Sequence, residues 1–91
     1  MATNWTIAVA KSAHLELNEL PDAAREEAID ILVGLMDDPC PPDAEPMRGP
    51  PNRFRIRFDN QGYRLIYQVS EQKRRVIVLR ARQRATAYIG L

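Results

Sequence analysis

Cysteine and histidine are almost missing from this 91-residue chain: Cys40 and His14 are the only ones. A single thiol cannot close an intramolecular disulfide. One cysteine and one histidine also argue against a zinc site, which is normally built from four such ligands. A catalytic histidine is equally hard to place. His14 falls on an expected helix with no partner near it, so a solvated position is preferred over a general base. Cys40 lies among prolines and reads as an ordinary loop thiol. No apolar run is long enough to span a bilayer and no signal peptide is visible. The cytosol is therefore the expected compartment, with no membrane partner. Neither a metal nor another cofactor is expected. The length fits one small domain, residues 1–91, with a modest core.

Charge is plentiful but unevenly spread. Residues 1–45 carry two basic side chains, Lys11 and Arg25, against ten acidic ones. Residues 46–91 carry eleven basic side chains against two acidic ones, Asp59 and Glu71, and ten of the eleven are arginine. Arginine's planar fork suits phosphate. Such asymmetry points to a nucleic acid or another polyanion as partner for the basic half. The competing reading is that the two halves neutralise each other across one surface.

The basic half is organised by the stretch Arg53 to Val69. Phe54, Ile56 and Phe58 alternate with Arg53, Arg55 and Arg57, the period of a strand with one buried face. Tyr63, Leu65, Tyr67 and Val69 continue as strand formers, and Asp59-Asn60-Gln61-Gly62 is a four-residue turn. A symmetric loop of that length pairs Phe58 with Tyr63, Arg57 with Arg64 and Ile56 with Leu65. Paired residues face the same side. One face of the hairpin is then apolar, and the other carries Arg55, Arg57 and Arg64. Like charges held opposite one another destabilise a hairpin, which suggests a polyanion that meets them.

Elsewhere the pattern is simpler. Asn4 to Val9 reads as an opening strand. Ala13, Leu17 and Leu20 form the stripe of a first helix over about Ala10–Leu20, with Ser12 as its expected N-cap. Pro21-Asp22 starts a second helix, whose stripe is Ala24, Ala28, Ile31, Leu32 and Leu35, and Asp37-Asp38-Pro39 ends it after Met36. The acidic residues of both helices read as their solvated faces. Residues 39–52 hold six of the seven prolines and form a stiff connector. Arg75 to Ala81 is a last strand. Strict alternation there puts Val76 and Val78 on one face with Arg80 and Arg82, and Ile77, Leu79 and Ala81 on the other. The expected fold is α+β in the order β-α-α-β-β-β, a helical hairpin packed on a twisted antiparallel sheet.

That order, the Arg55-Ile56-Arg57 alternation, the run Gly62-Tyr63-Arg64-Leu65-Ile66-Tyr67-Gln68-Val69 and the tail Arg82-x-Arg84-x-x-x-Tyr88 together resemble the RelE/ParE superfamily of bacterial toxins. The tail favours the RelE branch. That resemblance implies a ribosome-dependent endoribonuclease that cuts mRNA in the A site and is silenced by a cognate, RelB-like antitoxin in a hetero-oligomeric complex. It implies Arg57, Arg64, Arg82 and Tyr88 as catalytic residues, with Arg55 and Arg84 holding RNA phosphate. The alternative within the superfamily is a ParE-type toxin that disables DNA gyrase by binding. The best-known RelE members carry lysine where this chain has Arg55 and Arg57. Arginine stays protonated, so it makes a poor general acid and a good phosphate clamp. With three residues after Tyr88, any C-terminal helix is expected to be a stub.

RNA brings its own nucleophile, the 2′-OH. Aligning it and neutralising the charge that develops at phosphorus suffices for cleavage without a metal. Arg57, Arg64 and Arg82 can supply that charge. Tyr88 can act as a base or stack on a nucleobase.

Overall fold

The computed structural model of the chain describes residues 5–89. Its elements are β1 (Thr6–Val9), α1 (Lys11–Glu19), α2 (Asp22–Leu35), β2 (Glu45–Pro46), β3 (Arg53–Phe58), β4 (Tyr63–Ser70) and β5 (Arg75–Gln83). Asn4, counted in the expected first strand, lies outside the described residues.

The hairpin of β3 and β4 has the expected register, with Phe58 opposite Tyr63, Arg57 opposite Arg64 and Ile56 opposite Leu65. Its turn is tight, because Asp59, Asn60 and Gln61 all take left-handed backbone angles (φ 51°, 59° and 68°). Asp and Asn tolerate that region better than most residues. The turn is tied to the helical layer where the Asp59 N–H donates to the Glu27 carboxylate at 3.1 Å.

The two helices cover one face of the sheet. Ala13, Leu17, Leu20, Ala24, Ala28 and Leu35 are buried against Ile56, Phe58, Leu65 and Tyr67. Ile31, Leu32, Phe54 and Tyr63 close the margins of this core. Arg25 of α2 donates to the carbonyls of Asn18 and Leu20, both at 3.2 Å, and so satisfies the C-terminal end of α1.

The sheet departs from the expected one in three respects. It is mixed rather than wholly antiparallel, with strand order β1-β5-β4-β3-β2. The antiparallel meander β3-β4-β5 is there, but β1 lies parallel to β5, pairing Thr6 with Arg75 through to Val9 with Val78. The proline-rich connector also contributes a strand of its own. In β2, Glu45 pairs with Arg55 and Pro46 with Phe54, and a proline is acceptable there because the strand is at the sheet edge.

Third, β5 carries a β-bulge: Tyr67 pairs with Val78, but Ile66 pairs with Arg80, so Leu79 has no opposite number. The extra residue reverses the parity of the strand. Val76 and Val78 therefore share the core face with Ala81, whereas Arg80 and Arg82 turn to the other side, against the alternation expected from sequence. Val76, Val78 and Ala81 are all buried.

Beyond Val78, no strand among the described residues borders this edge of β5, and α1 takes that place. The Ala10 N–H donates to the Val78 carbonyl at 2.9 Å, the Ser12 hydroxyl to the Leu79 carbonyl at 3.4 Å, and the Ala81 N–H to the Glu16 carboxylate at 2.9 Å. Ser12 is thus a link to the sheet and not the expected N-cap. Ala10 occupies the cap position, with no side-chain cap bond. Among the described residues, no helix is long and apolar enough to cross a membrane.

The connector is anchored from below. The Tyr67 hydroxyl donates to the Pro39 carbonyl at 2.7 Å, and the Val69 N–H to the Asn52 carbonyl at 2.8 Å. Burial, reinforced by the nearby Cys40, Asp38 and Asp43, pushes the Tyr67 phenol well above its usual range, so it stays a neutral donor. Tyr67→Phe should cost about 1 kcal/mol, the usual scale for one such hydrogen bond. Urea denaturation checks this as a lower midpoint at unchanged slope.

Candidate active site

The face of the sheet away from the helices carries two cross-strand rows. In the first, Arg57 of β3 stands opposite Arg64 of β4, which stands opposite Arg82 of β5. In the second, two residues further from the hairpin turn, Arg55, Ile66 and Arg80 are aligned in the same way. Five guanidinium groups thus share one side of three adjacent strands. Left alone, such like charges would destabilise the sheet.

Two carboxylates from the acidic half hold the outer arginines. At the β3 end, Glu45 sits between the rows, its Oε1 2.9 Å from Arg57 Nε and 3.3 Å from Arg55 Nε. At the β5 end, Glu16 does the same, its Oε2 2.9 Å from Arg80 Nη1 and 3.6 Å from Arg82 Nε. The competing sequence reading, neutralisation between the two halves, is therefore realised locally by these two residues.

Desolvation raises the Glu45 carboxyl, but the charges of Arg55 and Arg57 and hydrogen bonds from them outweigh it and hold it below the usual carboxylate range. It is ionised at neutral pH.

Arg64, the centre of the first row, is held differently. It is 5% exposed, and its Nη1 donates to the carbonyls of Gln61 at 2.6 Å and Tyr63 at 3.1 Å. Among the described residues its buried Nε has no hydrogen-bond partner, a state shared by the Nε of Arg53 and Arg55.

The tail after β5 folds over the second row. Ala87 and Ile66 are both fully buried. On one side the Arg55 Nη1 donates to the Tyr88 hydroxyl at 2.8 Å, with the guanidinium 5.9 Å from the ring centroid. On the other, Arg80 Nη2 donates to the Ile89 carbonyl at 3.2 Å. The hydrogen bond to Tyr88 is the largest influence keeping Arg55 firmly protonated. Tyr88 itself is 39% exposed and borders a shallow cleft with Pro46, Met47, Arg48 and Arg55.

Six site residues were expected from sequence. Arg57, Arg64 and Arg82 come together as one row, and Arg55 and Tyr88 meet beside it. Arg84 stands apart: its side chain is exposed, and its backbone N–H donates to the Gly62 carbonyl at 2.9 Å, which closes the hairpin turn onto the tail. Three residues of the cluster were not foreseen. Glu16 reads as solvated helix face, although it falls beside the Ala13/Leu17 stripe. Glu45 reads as part of the connector. Arg80 is on the wrong face until the bulge is known. Among the described residues, no group of three potential metal ligands comes together.

No family model matches the chain. Over 75 residues it is 33% identical to the mRNA interferase toxin RelE of Escherichia coli strain K12, a match covering 80% of this chain and 78% of that protein. The chain belongs to the RelE toxin family. Its fold agrees: the crystal structure of the isolated E. coli RelE toxin superposes with a TM-score of 0.78 at 28% identity, covering 87% of this chain and 83% of that one. The toxin in the intact E. coli RelBE toxin–antitoxin complex superposes equally well, with 87% and 95% covered. Against that RelE background, the arginine-lined face and the tail over it are the features to which function must be assigned.

The ion pairs at Glu45 make a pH prediction. A carboxyl held below its unfolded value contributes its pairing fully above the ordinary carboxylate range and loses it as pH falls through the lowered value. In an NMR titration, the Glu45 carboxyl carbon should titrate below a model glutamate. Replacing Arg57 by Gln should move it back up.

Proposed function

We propose that this chain is the toxin of a type II toxin–antitoxin pair: an endoribonuclease that cuts mRNA in the ribosomal A site, stops translation and is neutralised by a RelB-like antitoxin. The cytoplasm is the compartment this implies. The observation that carries the reading is the Arg57–Arg64–Arg82 row, three guanidinium groups side by side on three adjacent strands. A bound phosphate neutralises these like charges and accepts charge-assisted hydrogen bonds from the row. The names of the curated relatives, both mRNA interferases, support the same reading and give the gyrase-binding alternative none. Structures of E. coli RelE with its antitoxin support the partner.

In the proposed reaction, the ribose 2′-oxygen attacks the adjacent phosphorus and the bond to the 5′-oxygen breaks. The products are a 2′,3′-cyclic phosphate and a 5′-hydroxyl. Arg57, Arg64 and Arg82 face the charge that accumulates on the phosphoryl oxygens, and Arg55 and Arg84 hold flanking phosphates. Two groups can take the 2′-OH proton. The Glu45 carboxylate is ionised and lies 2.9 Å from Arg57 of the row, whereas the Tyr88 oxygen already accepts from Arg55. Glu45 is therefore assigned as the base by position, its pairing with Arg55 and Arg57 making it a weak one, and the Tyr88 ring is left to stack on a base and orient it. The 5′-oxygen takes its proton from water or the ribosome, because arginine does not release one.

Primer-extension mapping of mRNA ends after induction tests the function itself. Cuts confined to codons of translated frames are expected, and intact mRNA with gyrase-linked DNA breaks would refute it. Within the site, Arg64→Ala or Arg82→Ala should each slow cleavage on the order of 10²-fold or more, the scale for losing a preorganised donor, with partial recovery in the lysine variants. Glu45→Gln should lose a similar factor while Tyr88→Phe cleaves nearly as the parent does. The reverse pattern would give the proton to Tyr88.

A further inference from the structure

We infer that Glu16, a carboxylate on the far side of the chain's acidic half, is a positioning residue of this site: it aims Arg82 at the phosphate and, through Arg80, sets the tail that carries Tyr88. The inference rests on the RNA-cleavage reading above and goes beyond it to a residue that need not touch RNA.

The geometry is specific. The Glu16 side chain is only 15% exposed, which is unusual for a glutamate unless it is fully partnered. Its two oxygens accept two hydrogen bonds and make one longer ion-pair contact. Oε1 accepts from the Ala81 N–H at 2.9 Å, while Oε2 faces Arg80 Nη1 at 2.9 Å and Arg82 Nε at 3.6 Å. Ala81 is the residue between those two arginines, so one carboxylate fixes the backbone and both flanking side chains. Because Glu16 faces the Nε of Arg82, the terminal nitrogens of that fork can serve another acceptor. Among the described residues no hydrogen bond engages them. Arg80 carries the restraint onward, since its Nη2 donates to the carbonyl of Ile89, the neighbour of Tyr88. The bulge at Leu79 is what makes this possible, because it turns Arg80 and Arg82 to the face that Glu16 reaches around the sheet edge.

Two other roles would leave the same contacts. One is a plain staple of α1 to β5, the other a brake that neutralises Arg82 until RNA arrives. Glu16→Gln separates them, because an amide oxygen can still accept from the Ala81 N–H while the charge on the arginines is lost. The experiment is single-turnover cleavage of ribosome-bound mRNA by the full chain, in the parent and in an Arg82→Lys background that has no Nε. A positioning role predicts a loss of roughly 10- to 30-fold in rate for Glu16→Gln in the parent, with ribosome affinity changed less than about 3-fold. In the Arg82→Lys background the same substitution should cost less than about 3-fold, since coupled residues are not additive. In ¹⁵N NMR spectra of the free protein, the Arg82 Nε–H signal should shift and exchange faster with solvent in Glu16→Gln. A rate equal to or above the parent's, an equal loss in both backgrounds, or an unmoved Arg82 Nε–H signal would each overturn the inference. Parental protein that leaves ribosome-bound mRNA intact would overturn the cleavage reading itself, a result no variant can mimic.

Discussion

Like charge placed side by side is the constraint on which this structure turns. Three adjacent strands present Arg57, Arg64 and Arg82 in one row and Arg55 and Arg80 in the next. The sheet tolerates them because Glu45 and Glu16 stand at its two ends, each between the rows, and because Arg64 is held by backbone carbonyls at the centre. None of these pairs need contribute much to stability, since partly exposed ion pairs are worth little. Their effect is on orientation. A guanidinium fixed before substrate arrives does not lose its freedom again on binding, which is the condition under which a donor lowers a reaction barrier most.

The rest of the fold serves that arrangement. The parallel β1 stops at Val78, so that α1 and not a strand borders the far end of β5, and this is how a helix residue comes to touch two strand arginines. The bulge at Leu79 sets which face they occupy. On the opposite flank, the connector becomes β2 and delivers Glu45, while Tyr67 holds the connector's start at Pro39. The tail lies over the second row, Tyr88 on Arg55 and Ile89 on Arg80, and leaves Arg57 and Arg82 of the first row accessible on either side of the buried Arg64.

The helical layer and the hairpin were legible in the sequence for definite reasons. A stripe such as Ala24/Ala28/Leu35 has one interpretation, and in Phe54-Arg55-Ile56-Arg57-Phe58 a slip of one residue would exchange every buried and exposed side chain, so register is strongly specified. The same logic failed on β5. Val76 to Leu79 is apolar on both faces, so nothing in the pattern marks where an extra residue enters. The alternation and the turn placed Arg57 opposite Arg64, whereas Arg82 and Tyr88 were named only through the resemblance to the RelE/ParE superfamily, since no periodicity singles them out. Glu16 and Glu45 were not legible, because their meaning lies in partners far along the chain, 65 residues away for Glu16 and Ala81. Glu45 was further hidden among prolines, where no strand was expected. The burial of Arg64 was hidden too, since it depends on the turn carbonyls folding back over its own side chain.

The central claim is that the Arg57–Arg64–Arg82 row is the seat of the scissile phosphate. A structure of the full chain on a ribosome programmed with mRNA, its scissile nucleotide made 2′-deoxy so that it binds but cannot be cut, tests this most directly. The account predicts the phosphate over the row, within hydrogen-bond distance of the Arg64 guanidinium, with Glu45 near the 2′-carbon. A phosphate seated elsewhere, with no contact to Arg57, Arg64 or Arg82, would contradict it.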